Sequence, residues 1–151
     1  MPDELNELWE AAIYKEIAAQ SFYIAVQERT EDPGARKLMS ELAQEELKHS
    51  ELLKNLREMD WEKGDWLKKE TPNLMQSEYL AGPDSLEGAG VQETLIFAMK
   101  REQDAIEFYS RMMAVVRGGE ARLLAQRLVH EELGHKLKLE LYYESMFQTY
   151  D

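Results

Sequence analysis

The sequence predicts an all-α protein, a four-helix bundle of two repeated antiparallel helical hairpins with a long crossover between the second and third helices. Three observations predict it. Apolar residues recur at alternating three- and four-residue spacing along four long segments. The second pair of segments repeats the first at a fixed offset. Glycine and proline are scarce, 8 and 4 in 151 residues, which suits long amphipathic helices rather than a β-sandwich.

The first helix is expected from Asp3 to about Thr30, where Leu5, Trp9, Ala12, Ala19, Tyr23 and Val26 share one face. Asp32-Pro33 then reads as an N-cap followed by proline at the first helical position, opening a second helix that runs to about Asp60. Ala35, Leu38, Leu42, Leu53 and Leu56 form its stripe. A third helix, about Val91 to Arg117, carries Leu95, Ala98, Ala105, Tyr109, Met112 and Val116. Gly118-Gly119 closes it. The fourth, about Glu120 to Met146, carries Ala121, Leu124, Leu128, Leu139 and Tyr142. Short joints make hairpins of residues 3–60 and 91–147. Between them, residues 61–90 hold Gly64, Pro72, Gly82, Pro83, Gly88 and Gly90. A helix of about 26 residues is about 39 Å long, whereas thirty extended residues reach roughly 100 Å. The crossover can therefore run the length of the bundle and leave the second and third helices parallel.

Length and composition fit one domain over residues 1–151, of which 44% are hydrophobic and 32% charged. Thirty acidic residues against 18 basic ones give a net charge of −12, which repels phosphate backbones and anionic lipid. Nucleic-acid and membrane partners are not expected. The acidic start, Pro2 to Glu7, lacks the apolar core of a signal peptide, and a cytoplasmic protein is expected. The absence of cysteine excludes disulfides, iron–sulfur clusters and thiolate ligands, so any metal must sit on nitrogen and oxygen.

Glu102 stands 86 positions after Glu16, and the same offset carries Phe22 and Tyr23 onto Phe108 and Tyr109. It also carries Ala35, Arg36 and Leu38 onto Ala121, Arg122 and Leu124. Leu42, Glu45, Glu46, Leu47, His49 and Leu53 map onto Leu128, Glu131, Glu132, Leu133, His135 and Leu139. Amphipathic helices match by chance at leucine and glutamate, but two of the chain's three histidines are paired too. Duplication of a helical hairpin accounts for the pattern.

Six polar residues lie on the apolar stripes, where polar residues do not belong. Glu16 stands between Ala12 and Ala19, and Glu102 between Ala98 and Ala105. The second helix reads Leu42, Glu46, His49, Leu53; the fourth reads Leu128, Glu132, His135, Leu139. Each Glu-x-x-His pair is one turn apart and points one way. Burying an isolated carboxylate costs several kcal/mol, and a domain's whole stability is about 5 to 15 kcal/mol. No basic residue shares these stripes near the six, so lysine or arginine counterions are not expected. Two divalent cations balance four carboxylates, with the imidazoles as neutral ligands.

With one Glu from each of two helices and Glu-x-x-His from each of the others, the sequence resembles the ferritin-like di-iron carboxylate proteins, most closely the rubrerythrin branch. The resemblance covers all four helices and is weak over residues 61–90. It implies a ferritin-like bundle with two Fe ions per chain, Mn being the alternative, held by Glu16, Glu46, His49, Glu102, Glu132 and His135. Glu46 and Glu132 would bridge. Tyr23 and Tyr109, seven residues after Glu16 and Glu102, would hydrogen-bond to ligand carboxylates and orient them. Rubrerythrins typically have a carboxylate where this chain has Ala105, so the resemblance does not extend to movement of metal between ligands. They usually carry a cysteine-rich rubredoxin module, which this chain lacks. If the centre turns over, an external protein must supply electrons.

The resemblance implies an oxidoreductase of oxidative-stress type that reduces peroxide or dioxygen. Fe(II) oxidation for storage or detoxification, dimanganese catalase-like activity and a structural metal remain alternatives. A homodimer or larger homo-oligomer is expected. His130 falls about 200° around its helix from Glu132 and should be exposed. Glu45 and Glu131 border the stripe and are read as surface residues, and Met39, Met99, Met112 and Met113 as core filler rather than copper ligands.

Overall fold

The structure is a computed structural model that describes residues 3–58, 90–116 and 119–147. It contains four helices: α1 (Asp3–Arg29), α2 (Pro33–Arg57), α3 (Val91–Val115) and α4 (Gly119–Phe147). These agree with the expected segments to within a few residues. Of the expected crossover, residues 61–90, all but Gly90 lie outside the described residues. Among the described residues, no helix is long and apolar enough to cross a membrane.

The ends of α2 and α3 follow from local chemistry. Asp32 caps α2, its Oδ2 accepting from the Ala35 amide at 2.9 Å, and Pro33 occupies the first turn where its missing N–H leaves nothing unpaired. Tyr142 of α4 donates its hydroxyl to the same carboxylate, so one aspartate ends a helix and ties two helices together. The α3 helix stops at Val115, earlier than expected, because Val116 is extended, with its amide still bonded to the Met112 carbonyl at 2.9 Å. Gly119 opens α4 at φ 65°, a left-handed conformation that glycine adopts without steric cost.

α1 packs chiefly on α2, and α3 on α4, as two hairpins. Trp9 Nε1 donates to the Leu53 carbonyl at 2.9 Å and joins the far ends of the first hairpin. Between hairpins, Tyr23 reaches Glu102 and Tyr109 reaches Glu16, so rising numbers on α1 meet falling numbers on α3. These two helices are antiparallel, and α2 is therefore parallel to α3, as the crossover length permits.

The core has three layers. One apolar cluster gathers Trp9, Leu53, Phe108, Tyr109, Met112 and Leu128. The other gathers Phe22, Tyr23, Leu42, Leu95, Ala98 and Leu139. The 86-residue offset exchanges the two clusters: Phe22, Tyr23 and Leu42 lie in one and their counterparts Phe108, Tyr109 and Leu128 in the other. Met39 and Met112 are buried, and Met99 and Met113 pack against the clusters, as expected of core filler. Between the clusters lies a buried polar layer.

Asp32→Ala should lower stability by about 1 kcal/mol, the usual cost of losing a side-chain cap. Chemical denaturation with an unchanged transition slope will read it; unaltered stability would deny Asp32 this role.

Candidate metal centre

The polar layer contains the six stripe residues. Glu46, His49 and Glu132 are 1% exposed, Glu16 and Glu102 2%, and His135 4%. α1 and α3 each contribute one glutamate, while α2 and α4 each contribute a glutamate and a histidine on successive turns. Small neighbours make room: Ala12 and Ala98 are fully buried, and Ala105 nearly so.

Contacts between the hairpins are reciprocal. His49 Nδ1 stands 3.0 Å from Glu132 Oε1, and His135 Nδ1 stands 2.8 Å from Glu46 Oε1. Each pair maps onto the other by the 86-residue offset. The imidazole rings stack at 5.6 Å with 13° between planes. The hydroxyl of Tyr109 donates to Glu16 Oε1 at 2.5 Å, and that of Tyr23 donates to Glu102 Oε1. Both tyrosines thus hold carboxylates of the opposite hairpin; hydrogen bonds to glutamates of the set are what the resemblance implied. Phe22 and Phe108 meet their neighbouring tyrosines edge-on at 5.2 and 5.3 Å.

The six buried donors fall into two overlapping groups, Glu16, Glu46, His49 and Glu132, and Glu46, Glu102, Glu132 and His135, and a third, part-buried group joins His49 to Glu45 and Glu131. Within each group, one donor atom per residue lies within 4.8 Å of all the others. Glu46 and Glu132 belong to both of the buried groups. Among the described residues, nine buried side-chain oxygen or nitrogen atoms have no hydrogen-bond partner; eight belong to these six residues and the ninth to Glu131. Buried polar groups are ordinarily satisfied. So many unsatisfied acceptors and imidazole nitrogens around one point fit two cations on oxygen and nitrogen donors.

Protonation separates the shared carboxylates from the others. Burial, then the charges of Glu132, Glu16 and Glu102, push Glu46 well above the carboxylate range. Glu132 is pushed up by burial and by Glu102 and Glu16. Burial also pushes Glu16 and Glu102 upward but is outweighed. Glu46, His49 and the Tyr109 hydroxyl hold Glu16 below its ordinary value, and His135, Glu132 and Tyr23 do the same for Glu102. Burial alone would lower His49, but Glu132 and Glu16 raise it to about 11. Burial and nearby carboxylates raise both tyrosines, which remain hydroxyl donors.

Two features differ from the sequence reading. Glu131, read as a surface residue, is only 27% exposed, and its Oε2 lies 3.0 Å from His49 Nε2, with Arg127 Nε 3.3 Å from the same oxygen. Its stripe-edge position brings it across the α2–α4 seam, where it can fix the ring orientation of His49. Glu45 is half-exposed beside Lys48, and His130 is exposed as expected. Second, basic residues do lie close to the site: Lys15 is 8% exposed, and Arg101 is part-buried. They immediately precede Glu16 and Glu102 and obey the 86-residue offset, the one signal that could have revealed them. Both are depressed below their ordinary values, first by burial.

A sequence profile of the rubrerythrin family matches residues 7–143. The chain belongs to the rubrerythrin family. Among solved structures, this rubrerythrin-family chain is similar to a hypothetical protein from Pyrococcus furiosus at 28% identity and a TM-score of 0.73, over 97% of this chain and 93% of the other. It also resembles a candidate ferritin-like diiron-carboxylate protein from Thermotoga maritima at 22% identity and a TM-score of 0.68, over 91% and 92% of the two chains. The second likeness bears on the fold, which is the ferritin-like bundle. No curated protein matches the chain.

In the metal-free protein His49 carries a proton that a ligating imidazole must lose. Its charged form favours the fold fully below about 6.5, and that contribution fades as pH rises toward about 11. Metal affinity should therefore climb with pH through this window, by up to about tenfold per unit for each proton displaced. Competition with a chromophoric chelator, and calorimetry in buffers of unequal ionisation enthalpy, should show rising affinity and net proton release. Uptake without proton release would contradict this protonation state.

Proposed function

We propose that this rubrerythrin-family chain is a dinuclear iron protein with redox activity that reduces peroxide or dioxygen. Glu16, Glu46, His49, Glu102, Glu132 and His135 would hold two ions, with Glu46 and Glu132 shared between them. The observation that carries this reading is the pair of overlapping donor groups, lined by unsatisfied buried atoms and enclosed between apolar layers. Iron bound there supplies electron transfer and Lewis acidity.

The protein's part is positioning. Tyr23 and Tyr109 hold Glu102 and Glu16 through one oxygen each, leaving Oε2 of both glutamates without a hydrogen bond. Glu131 Oε2 lies 3.0 Å from the outer nitrogen of His49, whose Nδ1 faces Glu132. The phenylalanines and leucines above and below exclude bulk water, which strengthens every charge interaction in the layer. This cysteine-free sequence contains no iron–sulfur relay, so an external protein is proposed as electron donor.

Anaerobic loading should bind about two Fe(II) per chain. Rapid oxidation by peroxide and slow oxidation by dioxygen in stopped flow supports the peroxidase form. Comparable oxidation by dioxygen with mineral growth points instead to iron storage. Unchanged metal uptake in the Glu46→Ala, Glu132→Ala double variant would sink the proposal. Tyr23→Phe and Tyr109→Phe should retain both ions while weakening metal affinity by about 10- to 100-fold, measured by chelator competition.

A further inference from the structure

The 86-residue offset pairs Glu45 with Glu131, each one residue before a shared glutamate, on the two helices that face each other across the α2–α4 seam. A symmetric molecule would set Glu131 against His49 and Glu45 against His135. Among the described residues only the first contact is made. Glu131 Oε2 lies 3.0 Å from His49 Nε2, and both are among the nine buried atoms without a hydrogen-bond partner. The carboxylates paired with His135 are those of Glu46, Glu102 and Glu132, and all three face its Nδ1. Glu45 pairs instead with Lys48 at 3.4 Å and shares with Glu131 the donor group around His49.

Two diverged positions account for the difference. Three residues after Glu45 stands Lys48, which draws its carboxylate along its own helix. Three residues after Glu131 the offset places Gly134, which has no side chain to do the same. One turn before Glu131, Arg127 Nε lies 3.3 Å from Oε2. The first hairpin has Glu41 at that position, and like charges four residues apart on a helix repel. Glu131 is thus kept at the seam by an arginine, while its counterpart is not.

A neutral imidazole that binds a cation through Nδ1 keeps its one proton on Nε2. For His49 the carboxylate beside that nitrogen is Glu131, and an acceptor there strengthens the ring as a donor and fixes its plane. His135 has no such neighbour among the described residues. We infer that Glu131, acting through His49, is a positioning residue that makes the two halves of the centre unequal. The group of Glu16, Glu46, His49 and Glu132 then holds its ion more tightly than the group containing His135. The inference rests on the dinuclear reading above.

Cobalt(II), stable in air, serves as the probe. His135→Ala and His49→Ala each leave one donor group complete. Competition with a chelator should show the remaining ion bound about tenfold more tightly in His135→Ala than in His49→Ala, the lower end of what such outer contacts contribute. Adding Glu131→Gln should remove that advantage in His135→Ala and change nothing in His49→Ala, whereas a merely loosened fold weakens both. Equal affinity in the two histidine variants, or equal loss in both backgrounds, overturns the inference and leaves the dinuclear reading standing. Proton NMR reads the contact itself, because paramagnetic cobalt shifts the N–H resonances of its imidazole ligands away from all others. One of the two, that of His49, should move and exchange faster with solvent in Glu131→Gln, while the other stays. Should the histidine variants fail to fold, unchanged shifts and exchange in Glu131→Gln overturn the inference independently. A wild-type chain that takes up neither cobalt nor iron overturns both readings.

Discussion

Four carboxylates in the middle of an apolar bundle are the condition around which the rest of this molecule is arranged. Isolated buried charges are unaffordable for a marginally stable domain, and the chain contains them through mutual arrangement. Burial and neighbouring charge push the two central glutamates above the carboxylate range, while each outer one is held down by a central glutamate, a histidine and a tyrosine. The apolar clusters above and below then serve two ends. They supply hydrophobic stabilisation, and they keep out the water that would otherwise satisfy the orphaned oxygens and compete with a cation for them.

The fold was legible because the helical stripes and their breakers agree. Leu5, Trp9, Leu42, Leu95 and Leu128, placed on the stripes by spacing alone, are all buried. The cap at Asp32 was readable because Asp-Pro carries its own backbone chemistry. Val116 was less so: its extended conformation depends on how the chain leaves α3, and residue type alone does not set that.

The six stripe residues were conspicuous because polarity on an apolar face is costly, whereas the part played by the two tyrosines came from the family resemblance, their two-turn spacing placing them only on the same face. Glu131 and the two cations escaped for a common reason. Periodicity assigns a residue to a face of one helix, whereas Glu131 acts across a seam on His49, and Lys15 and Arg101 are covered by rings from the other hairpin. Such neighbours exist only once the helices are docked. Phe22 and Phe108 were visible as a repeated pair, yet their second surface, facing the cations, was not.

The reciprocal contacts also bear on how such a chain is put together. His49 meets Glu132, His135 meets Glu46, and each tyrosine reaches a glutamate of the other half, so neither hairpin holds a finished centre of its own. One hairpin carries half the donors, and two copies related by a twofold would supply the whole set. The duplication thus reads as a fused dimer. Tethering turns an encounter between two molecules into closure within one, at a high effective concentration and independent of how dilute the protein is. It also frees the halves to diverge, and they have begun to do so where lysine faces one way and arginine the other.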